Sequence, residues 1–480
     1  MGLKFGTSGV RGLVTEMTDY ECGLYAKAFG EYLQSKGCYE VIMAGDYRSS
    51  TERIAKAVLY VLETLDIKVQ FLGYLPTPLL ANYSFKRGAG AVMITGSHIP
   101  DDRNGIKFYL PEGEVLKADE QWISARYKEL QNKPVSACYN SKGALKKSPT
   151  IEIENEIAIE EYIQRYTQFF TKDVLAGKHL VFYQHSTVGR DILPQILERL
   201  GAKVTCVGWS DYFIPVDTEA VANPAELKDW VEEFEADALI SADGDCDRPL
   251  LVDNNGKIIR GDLIGILAAE YLNADFIATP VSCNSALEKA VHCVEVERTR
   301  IGSPYVIESM KKATQKGYKR VIGYEANGGF LTGSDFEDLK ALPTRDALLP
   351  VLSAFSLAAS KGTTLAEQVD ALPDCYTDSG LLKNFPVQTS KTIINQLKAE
   401  KETLIDKCFA LELGDCKKIN LLDGVRMYFS QDKVLHFRPS GNAPEFRIYS
   451  EAHTLDEAKK LNLLGQKILK EILIPMAENA

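Results

Sequence analysis

Over the first third of the chain, short apolar runs alternate with stretches whose apolar residues recur every three or four positions. Val41-Ile42-Met43-Ala44 has the continuous apolar character of a buried strand. Ile54, Val58, Val61 and Leu62 mark one face of a helix over about 51–65. A strand around Lys68–Leu72, a Pro76-Thr77-Pro78 turn, another helix and a strand ending at Ile94 follow. This βαβα order predicts a mainly parallel sheet covered by helices. Residues 131–150 carry Pro134, Gly143 and Pro149 among Lys, Ser and Asn, the composition of an inter-domain linker.

The alternation resumes with an amphipathic helix through Ile159, Ile163, Tyr166 and Phe170. Strands at His179–Tyr183, Val204–Gly208 and Ala238–Ser241 follow, with a helix around Arg190–Leu200. A third stretch has candidate strands at Phe276–Thr279, Cys293–Glu297 and Arg320–Gly323. Beyond Pro373–Pro386 the pattern changes: strands near Val425–Phe429, Val434–Phe437 and Phe446–Ser450 precede a closing helix, about Leu455–Ile472. The expectation is an α/β protein of three tandem α/β domains with mixed, mainly parallel sheets, over 1–145, 150–254 and 255–372. A C-terminal α+β domain would occupy 373–480.

Composition changes this picture little. The 480 residues exceed one core, and 45% hydrophobic with 25% charged residues are ordinary globular values. The net charge of −11, spread along the chain, argues against a nucleic-acid partner, which would need a basic surface. No apolar run is long enough for a signal peptide or membrane span, so no membrane association is expected. Gly2 is read as part of the motif that follows rather than as a lipidation site. The ten cysteines have no zinc spacing or Cys-x-x-Cys pair, which suits a reduced, cytoplasmic setting.

Chemistry concentrates in the loops after apolar strands, where ligands sit in open α/β sheets. Thr95-Gly96-Ser97-His98-Ile99-Pro100 offers a serine with glycine before it and histidine after it, a nucleophile with a proton partner. Taken alone it is equally a polar turn. Asn104-Gly105-Ile106-Lys107 adds a turn and a lysine that could return to that loop. Ser241-Ala242-Asp243-Gly244-Asp245-Cys246-Asp247-Arg248 places three carboxylates at alternating positions, hard ligands suited to magnesium, with a solvated acidic turn as the other reading. The twelfth residue counted from Asp243 is Asn254, which excludes an EF-hand, and Cys246 is a bystander. Gly323-Tyr324-Glu325-Ala326-Asn327-Gly328-Gly329 could hold vicinal hydroxyls, and alone reads as a plain turn. Arg438-Pro439-Ser440-Gly441-Asn442, with Arg447 beyond, has the makings of a phosphate cradle or of a bland loop. The N-terminal Phe5-Gly6-Thr7-Ser8-Gly9-Val10-Arg11-Gly12 is neither a P-loop nor a dinucleotide fingerprint, and no strand is expected before it.

The five motifs in this order resemble the α-D-phosphohexomutase superfamily across essentially the whole chain. The resemblance implies four domains around a central cleft. It also implies phosphate transfer between the 1- and 6-positions of a hexose, with a hexose 1,6-bisphosphate as intermediate and activator. Carried over by residue, Ser97 is the phosphoserine and completes a Mg2+ site with Asp243, Asp245 and Asp247. Arg248 stabilises charge on the moving phosphoryl group. Arg11, His98 and Lys107 orient the phosphoserine or move protons; Arg11 reads as electrostatic because guanidinium pKa values are so high, and Lys107 as the proton-transfer group. Gly323, Glu325 and Asn327 would hold the sugar. Arg438, Ser440, Gly441, Asn442 and Arg447 would hold the phosphate that is not reacting.

The chain departs from the commonest family pattern at Ile99, at Asn442, in the Glu-Ala-Asn-Gly sugar loop, and at Gly302-Ser303, where some members carry a histidine. Subgroup resemblance favours mannose phosphates, with glucose phosphates as the alternative and glucosamine phosphate less expected. A phosphatase would not need the second phosphate cradle, and a silent binder would be expected to have lost Ser97 or an aspartate. The expected partner is a small hexose phosphate, acting on a monomer or homodimer.

Overall fold

A computed structural model describes residues 3–6, 9–292, 295–399, 401–439 and 445–478. It contains four sheets. The first is built from β1 (Lys4–Phe5), β2 (Gly9–Leu13), β3 (Glu40–Gly45), β4 (Lys68–Tyr74), β5 (Gly90–Ile94), β6 (Arg103–Leu110) and β7 (Gly113–Glu114). Its order is β1-β2-β6-β5-β3-β4, with β7 beside β6. β3 runs parallel to both β4 and β5, whereas β6 turns back antiparallel to β5 and β2. The helix Thr51–Glu63 buries Ile54, Val58, Val61 and Leu62, the face its spacing predicts. These residues pack with Phe29, Val41, Met43, Val92 and Phe108 in one core.

The second sheet comprises β8 (His179–His185), β9 (Lys203–Trp209), β10 (Ala238–Ala242), β11 (Pro249–Val252) and β12 (Ile258–Ile259), in the order β12-β11-β10-β8-β9. The third comprises β13 (Phe276–Pro280), β14 (Glu295–Thr299), β15 (Val321–Tyr324), β16 (Phe330–Thr332) and β17 (Leu342–Asp346), in the order β14-β13-β15-β16-β17. Both repeat the plan of the first, with parallel strands at the centre and antiparallel ones after them. In each, one loop joins a central parallel strand to the antiparallel strand beside it. These are the loops from β5 to β6, from β10 to β11 and from β15 to β16. Three of the five candidate motifs, those holding Ser97, Asp243–Asp247 and Glu325, sit on these loops.

Two local expectations change. The glycine-rich N-terminal motif does have a strand before it: β1 pairs antiparallel with β2, matching Lys4 with Arg11. Asn104–Lys107 is not a turn but lies within β6, where Lys107 stands opposite Met93 and Gly9. Isolated glycine and asparagine read as turn formers, but two ladders supply the backbone bonds that keep this segment extended.

The fourth sheet is formed by β18 (Tyr376–Lys383), β19 (Lys418–Asn420), β20 (Val425–Tyr428), β21 (Val434–Pro439) and β22 (Glu445–Ala452), in the order β18-β22-β21-β20-β19 with every ladder antiparallel. The chain divides into two compact units. One holds the residues up to Ala278, the segment ending at Glu297, and Gly302–Val369. The other holds Thr279–His292, Arg298–Ile301 and the chain from Asp370 onward. In this second unit Asn284 donates to the Cys375 carbonyl at 2.7 Å, and Ser285 to Glu451 at 2.5 Å. The nine described cysteines are all free thiols. No helix among the described residues is long and apolar enough to cross a membrane.

Candidate active site

Ser97 stands on the loop after β5 with a φ of 60°, a left-handed conformation that costs a non-glycine residue about 1 kcal/mol or more. Its surroundings hold it there. Its amide donates to Thr95 Oγ1 at 2.7 Å, and Thr95 in turn donates to Asp46 at 2.6 Å. Arg48 lies fully buried under the loop. Its Nε pairs with Asp46 at 3.0 Å, and its terminal nitrogens donate to the carbonyls of Ser97, Ile99, Pro100 and Arg103 at 2.5–3.0 Å.

The loop after β10 brings its three carboxylates to this serine. Ser97 Oγ donates to Asp243 Oδ2 at 2.5 Å. The other oxygen of Asp243 accepts the amides of Asp247 and Arg248. Asp245 Oδ2 accepts from Thr77 at 2.6 Å and Lys107 at 2.5 Å; Asp247 Oδ2 accepts from Lys107 at 2.7 Å and from both Nε and a terminal nitrogen of Arg345, at 3.1 and 2.9 Å. Asp245 Oδ1 and Asp247 Oδ1 are buried without a hydrogen-bond partner. Gly244 makes the approach of the two loops possible, since a Cβ there would lie 2.7 Å from the Ser97 carbonyl.

Each aspartate therefore has one oxygen fixed by the protein; the other has no hydrogen-bond partner on Asp245 and Asp247 and is shared with Ser97 on Asp243. Arg248 Nε stands 3.6 Å from that oxygen of Asp247 and 4.0 Å from that of Asp243. Candidate ligand atoms of the three lie within 4.8 Å of one another. Burial and the two neighbouring carboxylates push Asp243 up to about 8. Burial acts the same way on Asp247, but Arg345, Lys107 and Arg248 overcome it and hold that carboxyl below the usual range. An all-oxygen, anionic, desolvated pocket of this kind fits a hard divalent cation.

Positive groups surround it. Arg248 lies 3.6 Å from Asp247 and donates to His98 Nδ1 at 3.0 Å, and that nitrogen is 3.3 Å from Ser97 Oγ. Burial, with Arg248 and Arg11 nearby, pushes His98 down to about 2. The ring is thus neutral, and the bond from Arg248 makes Nδ1 its acceptor. Arg11, on β2, is lowered to about 10 by burial and by Arg248 and Arg345, so it stays charged near neutral pH. Burial and Asp243 push the Cys246 thiol upward and keep it unreactive.

Glu325, on the loop after β15, is buried, and its carboxylate lies 3.4 Å from Arg345. Burial raises its pKa, against the pull of Arg345 and Arg248. Asn327 Oδ1 accepts the Gly329 amide at 2.9 Å, which commits that oxygen to shaping the loop. Gly323 is not part of this cluster: it lies inside β15, packed under Val306 and Met310.

In the second unit Arg438 and Arg447 stand directly opposite each other on β21 and β22. Like charges so paired repel unless something negative lies between them or beside them. Asp423 lies 3.1 Å from Arg438 and Glu445 lies 3.5 Å from Arg447. Ser440, Gly441 and Asn442 lie outside the described residues.

Sequence reasoning missed Arg48 and Arg345. Arg48 follows β3 in the polar run Asp46-Tyr47-Arg48-Ser49-Ser50, at the end of a parallel strand, where the rule used for the other loops would have pointed. Arg345 left a fainter signal: a charged Arg-Asp pair just ahead of an apolar helix.

Comparison with known proteins agrees with this geometry. Three family models match: phosphoglucomutase/phosphomannomutase alpha/beta/alpha domain I over residues 2–134, domain II over 160–256 and domain III over 260–376. A phosphomannomutase of Sinorhizobium fredii is 44% identical, with 99% of this chain and 100% of that protein covered. A phosphomannomutase of Salmonella muenchen is 39% identical, with 95% and 93% covered. The crystal structure of a phosphoglucomutase/phosphomannomutase family protein from Burkholderia thailandensis superposes with a TM-score of 0.77 at 19% identity, covering 97% of this chain and 96% of that one. The chain belongs to the phosphoglucomutase/phosphomannomutase family, and it is an enzyme of the isomerase type that moves a phosphoryl group within a sugar phosphate.

Proposed function

We propose that this enzyme interconverts mannose 6-phosphate and mannose 1-phosphate through a phosphorylated Ser97, with Mg2+ held by Asp243, Asp245, Asp247 and the serine phosphate. The observation that carries the reading is Ser97 Oγ at 2.5 Å from Asp243 in a cluster whose Asp245 and Asp247 each keep one buried oxygen without a hydrogen-bond partner. The charges support it as well. Arg11, Lys107, Arg248 and Arg345 face Asp243, Asp245, Asp247 and Glu325, and the carboxylates that push Asp243 up to about 8 are the charge a divalent cation would offset. When bound, Mg2+ supplies Lewis-acid neutralisation of the phosphoryl oxygens.

The sugar's free hydroxyl attacks phosphorus, the bond from phosphorus to Ser97 Oγ breaks, and a hexose 1,6-bisphosphate forms. Lys107, an ammonium bracketed by two carboxylates, passes one of its protons to Asp245 as it takes the hydroxyl proton, so that proton ends on a carboxylate. Neutral His98, whose Nδ1 accepts from Arg248 at 3.0 Å, orients that arginine beside the serine oxygen. Arg248 and Arg11 offset charge on the phosphoryl group in flight. Glu325 and Asn327 hold sugar hydroxyls, while Arg438, Ser440, Gly441, Asn442 and Arg447 hold the other phosphate. The bisphosphate turns end over end, and Ser97 takes the phosphate that the substrate brought in, so the phosphate it gave stays on the other hydroxyl. Mannose is preferred on the strength of the relatives' names; a cytoplasmic setting suits free thiols and soluble phosphates.

The test is phosphorus NMR of the protein with Mg2+ and trace hexose 1,6-bisphosphate, supplied with mannose 1-phosphate or glucose 1-phosphate. The expected result is a 6-phosphate signal that grows faster from mannose and is absent in Ser97→Ala. Free phosphate without 6-phosphate, or unchanged turnover in the variant, would overturn the mechanism. Faster turnover of glucose would overturn the substrate.

A further inference from the structure

Arg345 is buried at the end of β17 and belongs to none of the motifs. Its fork contacts two loops at once: Nε and one terminal nitrogen reach Asp247 Oδ2 at 3.1 and 2.9 Å, and the other terminal nitrogen reaches Glu325 at 3.4 Å. The strand beneath it is anchored through Thr344, which donates to Glu114 at 2.8 Å, and Glu114 also accepts from Ser303 at 2.9 Å. The sugar loop is shaped around this side chain, since a Cβ on Gly329 would lie 2.4 Å from Arg345 Cδ.

We propose that Arg345 is a positioning residue that sets the Glu325 carboxylate for the sugar, with Asp247 as its fixed end; the inference rests on the sugar-binding role given to Glu325 above. Asp247 does not depend on Arg345 for its orientation, because Lys107 holds the same oxygen at 2.7 Å. Among the described residues no second cation forms an ion pair with Glu325. Removing the guanidinium should therefore act on the two loops in opposite directions. Glu325 loses its brace and the sugar binds less well. Asp247 keeps its orientation and loses a competing positive charge, so a divalent cation binds more tightly. A residue needed only for folding would weaken both.

The experiment measures Mg2+ binding to the full-length protein by isothermal titration calorimetry, and KM and kcat for the hexose phosphate. In Arg345→Met the Mg2+ Kd should fall at least about tenfold while KM rises at least about tenfold. Arg345→Lys keeps the charge but not the fork, so Mg2+ affinity should return to within a few-fold of the parent while KM stays high. Gly329→Ala keeps every charge and pushes on the arginine stem; it should raise KM in the parent and add little in Arg345→Met. If Arg345→Met does not fold, Arg345→Lys and Gly329→Ala carry the test. Unchanged KM in the variants, or weaker Mg2+ binding together with higher KM, would overturn the proposal. A parent protein that binds Mg2+ but interconverts no hexose phosphate would instead overturn the proposed function, and the sugar half of this inference with it.

Discussion

Arg48 should be the most sensitive residue outside the reacting groups. Its guanidinium makes five side-chain hydrogen bonds, one to Asp46 and four to carbonyls between Ser97 and Arg103, and no solvent reaches it. Its plane also stacks on the Phe213 ring, 4.0 Å from the centroid. Arg48→Met breaks a buried ion pair, which costs about 3–5 kcal/mol, and it strands Asp46. Arg48→Lys is the sharper test. An ammonium has three donors for five acceptors, so at least two are stranded, at about 1–3 kcal/mol each. The expected loss is about 2–6 kcal/mol in the first unfolding transition, followed by urea denaturation. With its carbonyl released, Ser97 can leave its positive φ, and a shift of about 1 Å lowers kcat about 100-fold. Mg2+ affinity should change less, since Arg48 touches none of the three aspartates. If Arg48→Lys keeps parental stability and kcat, the reasoning that this cation holds the Ser97 loop is wrong.

Asp245→Asn keeps the side chain's shape but removes a charge from the triad, and it should cut Mg2+ binding by calorimetry at least about 100-fold and phosphoryl transfer with it. Chelation with EDTA should stop transfer reversibly, and activity that survives it would exclude the metal role. Arg438→Ala should raise KM for hexose phosphate about tenfold to 100-fold with a smaller change in kcat at saturation; an unchanged KM would remove Arg438 from the phosphate site. His185 is buried with Nε2 on the Ala242 carbonyl, facing Tyr183 and Arg190, and burial lowers its pKa from 6.5 to about 4. The unfolded chain therefore binds the extra proton first. Stability is full above pH 6.5 and falls as pH drops toward 4, by about 2 kcal/mol between pH 7 and 5 from this group. Urea unfolding at the two pH values should show a smaller fall in His185→Asn, and an equal fall would refute the assignment.

How much was legible follows from where each signal resides. Apolar runs and three-to-four spacing are properties of neighbouring residues, so β3, the helix Thr51–Glu63 and β10 read directly from the chain. The loops after strands carry glycine and charge in short, dense strings, which is why Ser97, the aspartate loop and Glu325 could be singled out before any contact was known. β1 was less visible, because two residues are too few to show a period. Asn104–Lys107 misled because turn-like residues there are held straight by ladders on both sides.

The sequence by itself determined the elements, their order, and which loops carry chemically capable residues. It did not say which oxygen of each aspartate the protein fixes, or that His98 is a neutral acceptor. Nor did it show that Arg48 and Arg345 complete the site. Those facts depend on groups distant along the chain: Arg345 meets Asp247 across 98 positions, and Ser97 meets Asp243 across 146. Charge, burial and hydrogen bonding at such a point are set jointly by three sheets. No local pattern encodes them, because each partner's residue type is compatible with many other surroundings. Only the tertiary structure brings four cations around four buried carboxylates and so decides how each group is charged and which oxygens the protein holds.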